Sequence, residues 1–197
     1  MRKLGVFENI SLDGYFTDAL GDMHWAHDGT HDPEFTEFTT SNAKGGGALL
    51  FGRVTYEMMA GFWTTAAARQ AMPEVAKQMH DLPKYVLSDT LQKGDWNNST
   101  VLVGEPVAEV QRLKKESGGD ITILGSGTIV TQLATARLID SYAFVVCPVI
   151  LGRGRTLFDG VKERQSLKLE QSRSFKNGKT FLSYTALSRT ASCIRPA

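Results

Sequence analysis

The alternation of hydrophobic and polar residues along the chain predicts short strands separated by helices. Apolar or β-branched runs of strand length, each bounded by turn residues, recur through the sequence. Six of these runs are KLGVFENIS, GALLFG, KYVLS, TVLVG, DITILG and SYAFVVCPVIL. Strands that alternate with segments of helical length indicate an α/β domain with a largely parallel sheet.

Two of the intervening segments have helical periodicity. EPVAEVQRLKKES carries an apolar residue every three positions, opposite charged ones. The segment after GSG has a second apolar stripe that ends in a charged residue. Its positions are Ile129, Val130, Leu133, Ala134 and Arg137. Both stripes predict helices that pack one face against the sheet.

The C-terminal part of the chain changes character. SLKLEQSRSF and TFLSYTAL flank KNGK, and Asn177-Gly178 is a strong signal for a hairpin with a type I′ turn. We therefore predict an antiparallel pair at the edge of the sheet. The last ten residues carry few apolar side chains and no periodicity. We predict one domain over residues 1–187 and a flexible tail over 188–197.

Composition and charge restrict the classes of protein and partner. A chain of 197 residues is long enough for one domain with a substantial core. The 22 basic and 21 acidic residues give no charge excess that would indicate nucleic acid or a membrane surface as partner. Cys147 and Cys193 form neither a disulfide framework nor a metal-binding spacing. We therefore expect no bound metal. The sequence also lacks an apolar stretch of about 18 residues, and we expect a cytoplasmic protein.

The segment ILGSGTIV suggests a place for an anion. A strand that leads through Gly125, Ser126 and Gly127 into a helix presents unpaired N–H groups and the positive end of a helix dipole. The alternative is a tight turn that needs glycine for its geometry alone. A Rossmann dinucleotide fingerprint is not predicted, because Val130 occupies the third glycine position of G-x-G-x-x-G.

Three further motifs accompany this one: SLDGYF (11–16), LLFGRVTYEMM (49–59) and CPVILGRGRTLF (147–158). In this order, the four motifs resemble the dihydrofolate-reductase-like superfamily. The similarity is greatest to the reductase domain of the bifunctional riboflavin-biosynthesis deaminase/reductase and its stand-alone relatives, and it covers residues 3–187. The resemblance implies a three-layer α/β fold with a central mixed, mostly parallel sheet and a C-terminal antiparallel hairpin. It also implies NADPH as cofactor and a homodimer.

The resemblance assigns cofactor contacts at the ends of several predicted strands. These residues are Gly52, Arg53, Thr55, Leu87, Ser88, Gly104, Gly125, Ser126, Gly127, Thr128 and Ile129. Arg53 and Ser88 suit the 2′-phosphate of NADPH, and the glycines of the GSG turn match the pair that meets the diphosphate. From the residues alone, Arg53 can equally form a surface ion pair. Ser88 and Gly104 can equally serve as turn residues.

Reduction by NADPH also needs a proton near the carbon that receives the hydride. Asp13 of SLDG and Asp28 of MHWAHD are the candidates for proton supply or polar orientation, and Trp25 resembles the loop tryptophan of folate reductases. Other interpretations stay open at each position. Asp13 can cap its own loop, Asp28 can be a turn or N-cap residue, and Trp25 can be a core or lid aromatic.

The sequence departs from the riboflavin pattern at two places. Phe7 stands where that family usually carries a lysine, and YEMMAGFW replaces an acidic segment. The aromatic and methionine side chains of this segment indicate either an apolar substrate surface or helix core. We therefore expect an NADPH-dependent reductase related to 5-amino-6-(5-phosphoribosylamino)uracil reductase, acting on a heterocyclic or carbonyl substrate. The alternatives are a dihydrofolate reductase and a non-catalytic nucleotide-binding or scaffold protein.

Overall fold

The computed structural model describes residues 1–44 and 47–187. The described strands are β1 (Leu4–Ser11), β2 (Tyr15–Thr17), β3 (Ala48–Gly52), β4 (Lys84–Leu87), β5 (Ser99–Leu102), β6 (Ile121–Ile123), β7 (Ser141–Cys147), β8 (Arg155–Thr156), β9 (Leu167–Ser174) and β10 (Thr180–Ala186). The α-helices are α1 (Pro33–Lys44), α2 (Arg53–Trp63), α3 (Ala66–Ala71), α4 (Pro73–Asp81), α5 (Pro106–Lys115) and α6 (Gly127–Thr135). A 3₁₀ helix covers His24–Ala26.

Eight strands form one mixed sheet in the order β5-β4-β3-β6-β1-β7-β10-β9. The first six of these are parallel to one another, whereas β10 pairs antiparallel with β7 on one side and with β9 on the other. The strands β2 and β8 form a separate antiparallel pair. This arrangement confirms the predicted mixed, mostly parallel sheet and its C-terminal hairpin.

Helices cover both faces of the sheet, which gives three layers. On one face, the predicted stripes of α5 and α6 pack on β1, β3 and β6 in the largest buried cluster. On the other face, α2 and α4 pack on β3 and β4, and α1 packs on β7 and β10. Within the α6 stripe only Arg137 differs from the prediction, because α6 ends at Thr135 and Arg137 has a positive φ of 55°.

Two local predictions need correction. The run SYAFVVCPVIL is a strand only as far as Cys147, since Pro148 has no N–H for a sheet ladder. The turn between β9 and β10 is not type I′, because Gly178 (φ 83°) has a positive φ and Asn177 does not. Instead, the Gly178 N–H donates to the carbonyl of Phe175 across a four-residue turn. The Phe175 N–H then donates to the Lys179 carbonyl, which closes a longer loop.

Two other expectations concern the chain as a whole. No helix within the described residues is long and apolar enough to cross a membrane. The tail predicted over 188–197, which includes Cys193, lies outside the described residues.

Candidate functional site

The predicted cofactor residues follow four neighbouring strands, β5, β4, β3 and β6. Because these strands are parallel, their carboxyl ends lie at one edge of the sheet. From β3 the chain enters α2 on one face, and from β6 it enters α6 on the other. Connections that leave neighbouring strands toward opposite faces open a crevice between them, and such crevices are where open α/β sheets bind ligands.

The two segments that border this opening, 52–55 and 125–127, touch each other, and we call the opening the glycine crevice. A Cβ placed on Gly52 would lie 2.8 Å from Ser126 Oγ. A Cβ placed on Gly125 would lie 3.0 Å from both Cγ2 and Oγ1 of Thr55. Gly125 also has a φ of 65°, which side-chain-bearing residues rarely adopt. The structure therefore brings together the two glycine motifs that the sequence places 70 residues apart.

Both helices at the crevice begin without a side-chain cap. Gly52 precedes α2 and Ser126 precedes α6, and neither makes a side-chain capping hydrogen bond. Of the other α-helices, α1, α3 and α5 are capped by the side chains of Asp32, Thr65 and Glu105, whereas α4 begins at Pro73 without such a cap. In α6 the N–H groups of residues 127–129 precede the first helical bond, from the Val130 N–H to the Ser126 carbonyl. Uncapped N–H groups of this kind suit a phosphate.

Gly127 has a packing reason to be glycine as well. A Cβ at this position would lie 2.6 Å from Cε1 of the Phe16 ring. Next to it, Thr128 is exposed, and Ile129 is buried in the core. Hence the glycines of GSG meet a geometric requirement, and they stand at the start of a helix that has no side-chain cap. The two interpretations of this motif are compatible.

Arg53, Leu87 and Ser88 lie at the same edge. The Arg53 guanidinium donates to the Glu57 carboxylate at 2.8 Å in an exposed ion pair, one helical turn apart. Ser88 Oγ accepts the N–H groups of Thr90 (3.1 Å) and Leu91 (3.0 Å), so it closes a turn after β4. Leu87 is buried. Arg53 and Ser88 thus make the ion pair and the turn that the sequence left as alternatives.

Gly104 follows β5 with a φ of 120°. Its N–H donates to the Asp89 carboxylate at 3.0 Å, which links the two segments that follow β4 and β5. Glu105, the next residue, provides the cap of α5. The position therefore requires glycine for its backbone conformation. Its exposed backbone lies beside the segment that contains Ser88.

Asp13 braces the loop that follows β1. Its carboxylate accepts the Ser11 hydroxyl at 2.6 Å and the N–H groups of Gly152 (2.7 Å) and Leu151 (3.2 Å). The Ser11 hydrogen bond, with smaller contributions from these amides, lowers the pKa of Asp13 below its ordinary value. Asp13 is therefore a carboxylate at neutral pH that orients SLDG against the segment after β7.

Trp25 lies on the other face of β1 from α6. Trp25 packs in the cluster that contains Phe7, whereas the adjacent Val6 packs with α6. The Trp25 indole N–H donates to the Asp22 carbonyl at 3.1 Å, and Asp28 is exposed. Within residues 1–44 and 47–187, no group of three or more His, Cys, Asp or Glu side chains could hold a metal ion.

The residue that sequence reasoning missed is Glu8, in the middle of β1. Its side chain is 6% exposed, and its Oε1 has no hydrogen-bond partner. Burial raises the pKa of Glu8 to about 8, and the Gly125 amide offsets this in part. The alternation of β1 was a usable signal, because Leu4, Val6 and Glu8 share the face that packs on α6.

Comparisons with known proteins agree with this architecture. The model of the RibD C-terminal domain family matches residues 2–181. The chain is 29% identical over 172 residues to the uncharacterized protein YyaP of Bacillus subtilis, covering 86% of this chain and 87% of YyaP. It is 26% identical over 176 residues to the uncharacterized protein YwjB of the same organism, covering 88% of this chain and 92% of YwjB.

Solved structures show the same fold. A Shewanella sp. PV-4 protein ascribed to riboflavin biosynthesis matches 94% of this chain and 99% of its own, with a TM-score of 0.76 and 21% identity. The Thermotoga maritima diaminohydroxyphosphoribosylaminopyrimidine deaminase/5-amino-6-(5-phosphoribosylamino)uracil reductase matches with a TM-score of 0.67 and 14% identity, over 94% of this chain and 57% of that one. Enterococcus faecalis dihydrofolate reductase, complexed with NADP(H), matches with a TM-score of 0.58 and 14% identity, over 94% and 97%.

Proposed function

Because the chain belongs to the RibD C-terminal domain family, we propose that it is an NADPH-dependent reductase that transfers hydride to a heterocyclic or carbonyl substrate. The proposed activity resembles that of 5-amino-6-(5-phosphoribosylamino)uracil reductase. The observation that carries the proposal is the glycine crevice, where two helices without side-chain caps begin on either side of one opening. Such an opening suits the diphosphate of a dinucleotide.

In this proposal the crevice holds the cofactor through backbone and side-chain donors. The N–H groups of residues 127–129 would meet the diphosphate, with the hydroxyls of Ser126, Thr128 and Thr55 nearby. Arg53 would exchange its exposed partner Glu57 for the 2′-phosphate, and Leu87, Ser88 and Gly104 would border the adenosine. NADPH supplies the hydride, and the protein excludes water and orients the two reactants.

The substrate side lies on the other face of β1, with Phe7 and Trp25. We propose that Asp13 orients the loop there, since its carboxylate is already committed to Ser11 and to two amides. Asp28 is exposed and can meet a polar group of the substrate from solvent. Phe7 replaces the lysine of the riboflavin pattern, which supports a substrate without a phosphoribosyl group.

Helix α2 supports an apolar substrate. Of the residues in YEMMAGFW, Tyr56 is core, as the alternative interpretation had it. By contrast, Val54, Met58 and Phe62 are exposed and recur every four residues along one stripe of α2. This stripe starts beside the glycine crevice. It would provide contact area for a flat heterocycle.

Thermal unfolding with NADPH, NADH and NADP⁺ tests cofactor use. A ligand that binds only the folded protein, at about 100 times its Kd, adds about 2.7 kcal/mol. We expect NADPH to raise the Tm more than NADH does. No rise with any of the three, in a folded protein, would contradict the proposal and favour a scaffold.

A variant separates the role of Arg53. Arg53→Ala should weaken NADPH binding by about ten-fold or more while changing NADH binding little, because one charge-assisted phosphate contact is worth about 1.5–3 kcal/mol. Arg112→Ala removes an arginine in a similar exposed ion pair on α5 and is the matched control. Equal weakening of NADPH and NADH would remove the 2′-phosphate role of Arg53.

Two further assays distinguish the alternatives. Dihydrofolate-dependent NADPH oxidation that methotrexate blocks would indicate a dihydrofolate reductase. Nucleotide binding without oxidation by any heterocyclic or carbonyl compound tested would indicate a non-catalytic nucleotide-binding protein. The first outcome would narrow the heterocyclic substrate to dihydrofolate, and the second would overturn the proposed reductase activity.

We also propose a homodimer. The long apolar strand β7 does not provide an interface, because it pairs with β1 and β10 and is a central strand of the sheet. The edge strand β9 is a better candidate, because nearly all its residues are exposed, Leu167 and Leu169 included. Light scattering during size exclusion measures the mass of the particle, and a monomer would contradict this part of the proposal.

A further inference from the structure

Glu8 is a buried acid directly beneath the glycine crevice. The pairing of β1 with β6 begins at Leu4 and ends at Val6, which lies opposite Ile123. The pairing of β1 with β7 continues to Ser11. Glu8 therefore lies beyond the point where β1 and β6 separate. A Cβ placed on Gly125 would lie 3.3 Å from Glu8 Oε1, so this oxygen faces the turn that forms one side of the crevice.

The other strongly buried carboxylate of the described chain is fully used. Asp32 is 5% exposed, and its oxygens accept N–H groups from Glu34, Phe35 and Asn177. Glu8 Oε1, by contrast, is shielded from solvent and has no partner. An unsatisfied buried polar atom costs about 1–3 kcal/mol and is rare in native proteins. Such an atom next to a ligand crevice points to a role in binding.

The surroundings of Glu8 contain no compensating charge. Glu8 is the only Asp, Glu, Lys, Arg or His in β1, and β6, β7 and α6 contain none. The weakly acidic groups of β7 are Tyr142 and Cys147, whose pKa values burial raises, so both are neutral at physiological pH. On α2, Arg53 and Glu57 pair with each other at the surface. Glu8 is therefore the ionisable group that decides the charge beneath the crevice.

We propose that Glu8 couples ligand binding to a proton: the crevice accepts an anionic dinucleotide while Glu8 is neutral and disfavours it once Glu8 is ionised. The inference rests on the proposed function, because it takes the crevice as the diphosphate site. Two negative charges in contact with one turn repel strongly in a medium of low dielectric constant. By linkage, a bound diphosphate must in turn hold the proton on Glu8. No covalent step is involved, and binding at alkaline pH takes up one proton from solvent.

The test compares the pH dependence of NADPH affinity in wild type and Glu8→Gln. Glutamine keeps the shape of the side chain and cannot ionise. Wild-type Kd, from the fluorescence of bound NADPH, should be constant below about pH 7 and rise by up to ten-fold per pH unit above about pH 8. The Glu8→Gln variant should bind at pH 9 about as well as at pH 7. Glu116→Gln, at an exposed position after α5, should follow the wild type.

Calorimetry of wild type in two buffers of different ionisation enthalpy gives a second measurement. At about pH 8.5, NADPH binding to wild type should take up close to one proton, and binding to Glu8→Gln should take up less. Identical pH profiles and proton uptake in the two proteins would overturn the coupling while leaving the NADPH site in place. Absence of NADPH binding in both proteins at every pH would overturn the proposed function and the coupling together.

Discussion

Glu8 and Lys84 are both buried ionisable residues of the central sheet, yet their surroundings differ completely. Lys84 has no exposed surface, and its ammonium group donates to three backbone carbonyls and lies 4.4 Å from the centre of the Trp96 ring. The three carbonyls belong to His80 (3.0 Å), Leu82 (2.7 Å) and Asn97 (3.0 Å). We call Lys84 and these four partners the lysine cluster. Glu8 has nothing comparable around Oε1.

The difference separates a structural charge from a functional one. Lys84 begins β4 and ties the end of α4 to the turn before β5, away from the carboxyl ends of the strands. Glu8 lies beside the carboxyl ends, where the glycine crevice opens. Burial lowers the pKa of Lys84 to about 8, with Asp81 opposing, and burial raises the pKa of Glu8 to about 8. A buried ionisable group with all its hydrogen bonds made holds the fold together, whereas the protonation of one left unsatisfied can respond to a ligand.

The largest effect is expected from Lys84→Met. This change leaves three carbonyls without their donor, so the free energy of unfolding at pH 7 should fall by about 2–4 kcal/mol. Lys77→Met is the matched control, since Lys77 pairs with Asp81 on the exposed side of the same region and should change stability by about 0.5 kcal/mol or less. Denaturant unfolding measures both. An unchanged free energy of unfolding in Lys84→Met would mean that the lysine cluster does not stabilise the fold.

Glu8→Gln should act in the opposite direction. Because the pKa of Glu8 in the folded protein is raised to about 8, neutral Glu8 contributes its full stability at pH values below the ordinary pKa of 4.5. This contribution is lost as the pH rises to about 8. The variant should therefore match wild type near pH 4.5 and exceed its stability by about 1–3 kcal/mol at pH 8.

The pH profile of wild type contains both groups. Lys84, with its pKa lowered to about 8, regains stability as pH rises from about 8 toward 10.5, because the unfolded chain binds more protons there. Wild type should thus be least stable near pH 8. Glu8→Gln should abolish the fall in stability as the pH rises to about 8. Lys84→Met should abolish the gain in stability above about pH 8. A wild-type profile that is flat from pH 5 to 10 would contradict both assignments.

The sequence predicted the sheet and placed the two glycine motifs at strand ends, because both depend on local pattern. Strand-length apolar runs and the helical stripes specify the layers, and the two glycine motifs end strands that must meet at one edge. The turn at Asn177 was predicted wrongly in type. The length of the loop between β9 and β10 depends on the residues that flank the Asn-Gly dipeptide. The dipeptide alone therefore does not determine the turn type.

The partners of the buried charges could not be predicted in the same way. Alternation in KLGVFENIS indicates the inner face for Glu8, and Lys84 in KYVLS looks like an ordinary strand-end residue. Whether such a residue is satisfied depends on segments far away in sequence, such as Asn97 for Lys84 and Gly125 for Glu8. Alternation predicts the face on which a side chain lies, but only the tertiary fold determines its partners.

A smaller effect is expected from Tyr56→Phe, next to the lysine cluster. The Tyr56 hydroxyl accepts the backbone N–H of Trp96 at 2.9 Å and donates to Ser99 Oγ at 3.1 Å. Its removal should cost about 1–2 kcal/mol of stability. NADPH affinity should not change, although Tyr56 is on α2, because its ring packs on Phe51 and Trp96 and not toward the crevice. A loss of NADPH binding with stability intact would show that the two regions are coupled.

The smallest effect on stability is expected from Arg53→Ala. Its partner Glu57 is about half exposed, as Arg53 is, and exposed ion pairs of this spacing contribute about 0.3–0.5 kcal/mol. The free energy of unfolding should therefore match that of Arg112→Ala, while NADPH affinity should fall only for Arg53→Ala. These two variants separate structural charges from ligand-binding charges. An arginine that contributes little to folding stability can exchange its ion-pair partner for a ligand phosphate at little cost. If Arg53→Ala lowered stability by as much as Lys84→Met, Arg53 would belong with the structural charges and its role in binding would fail.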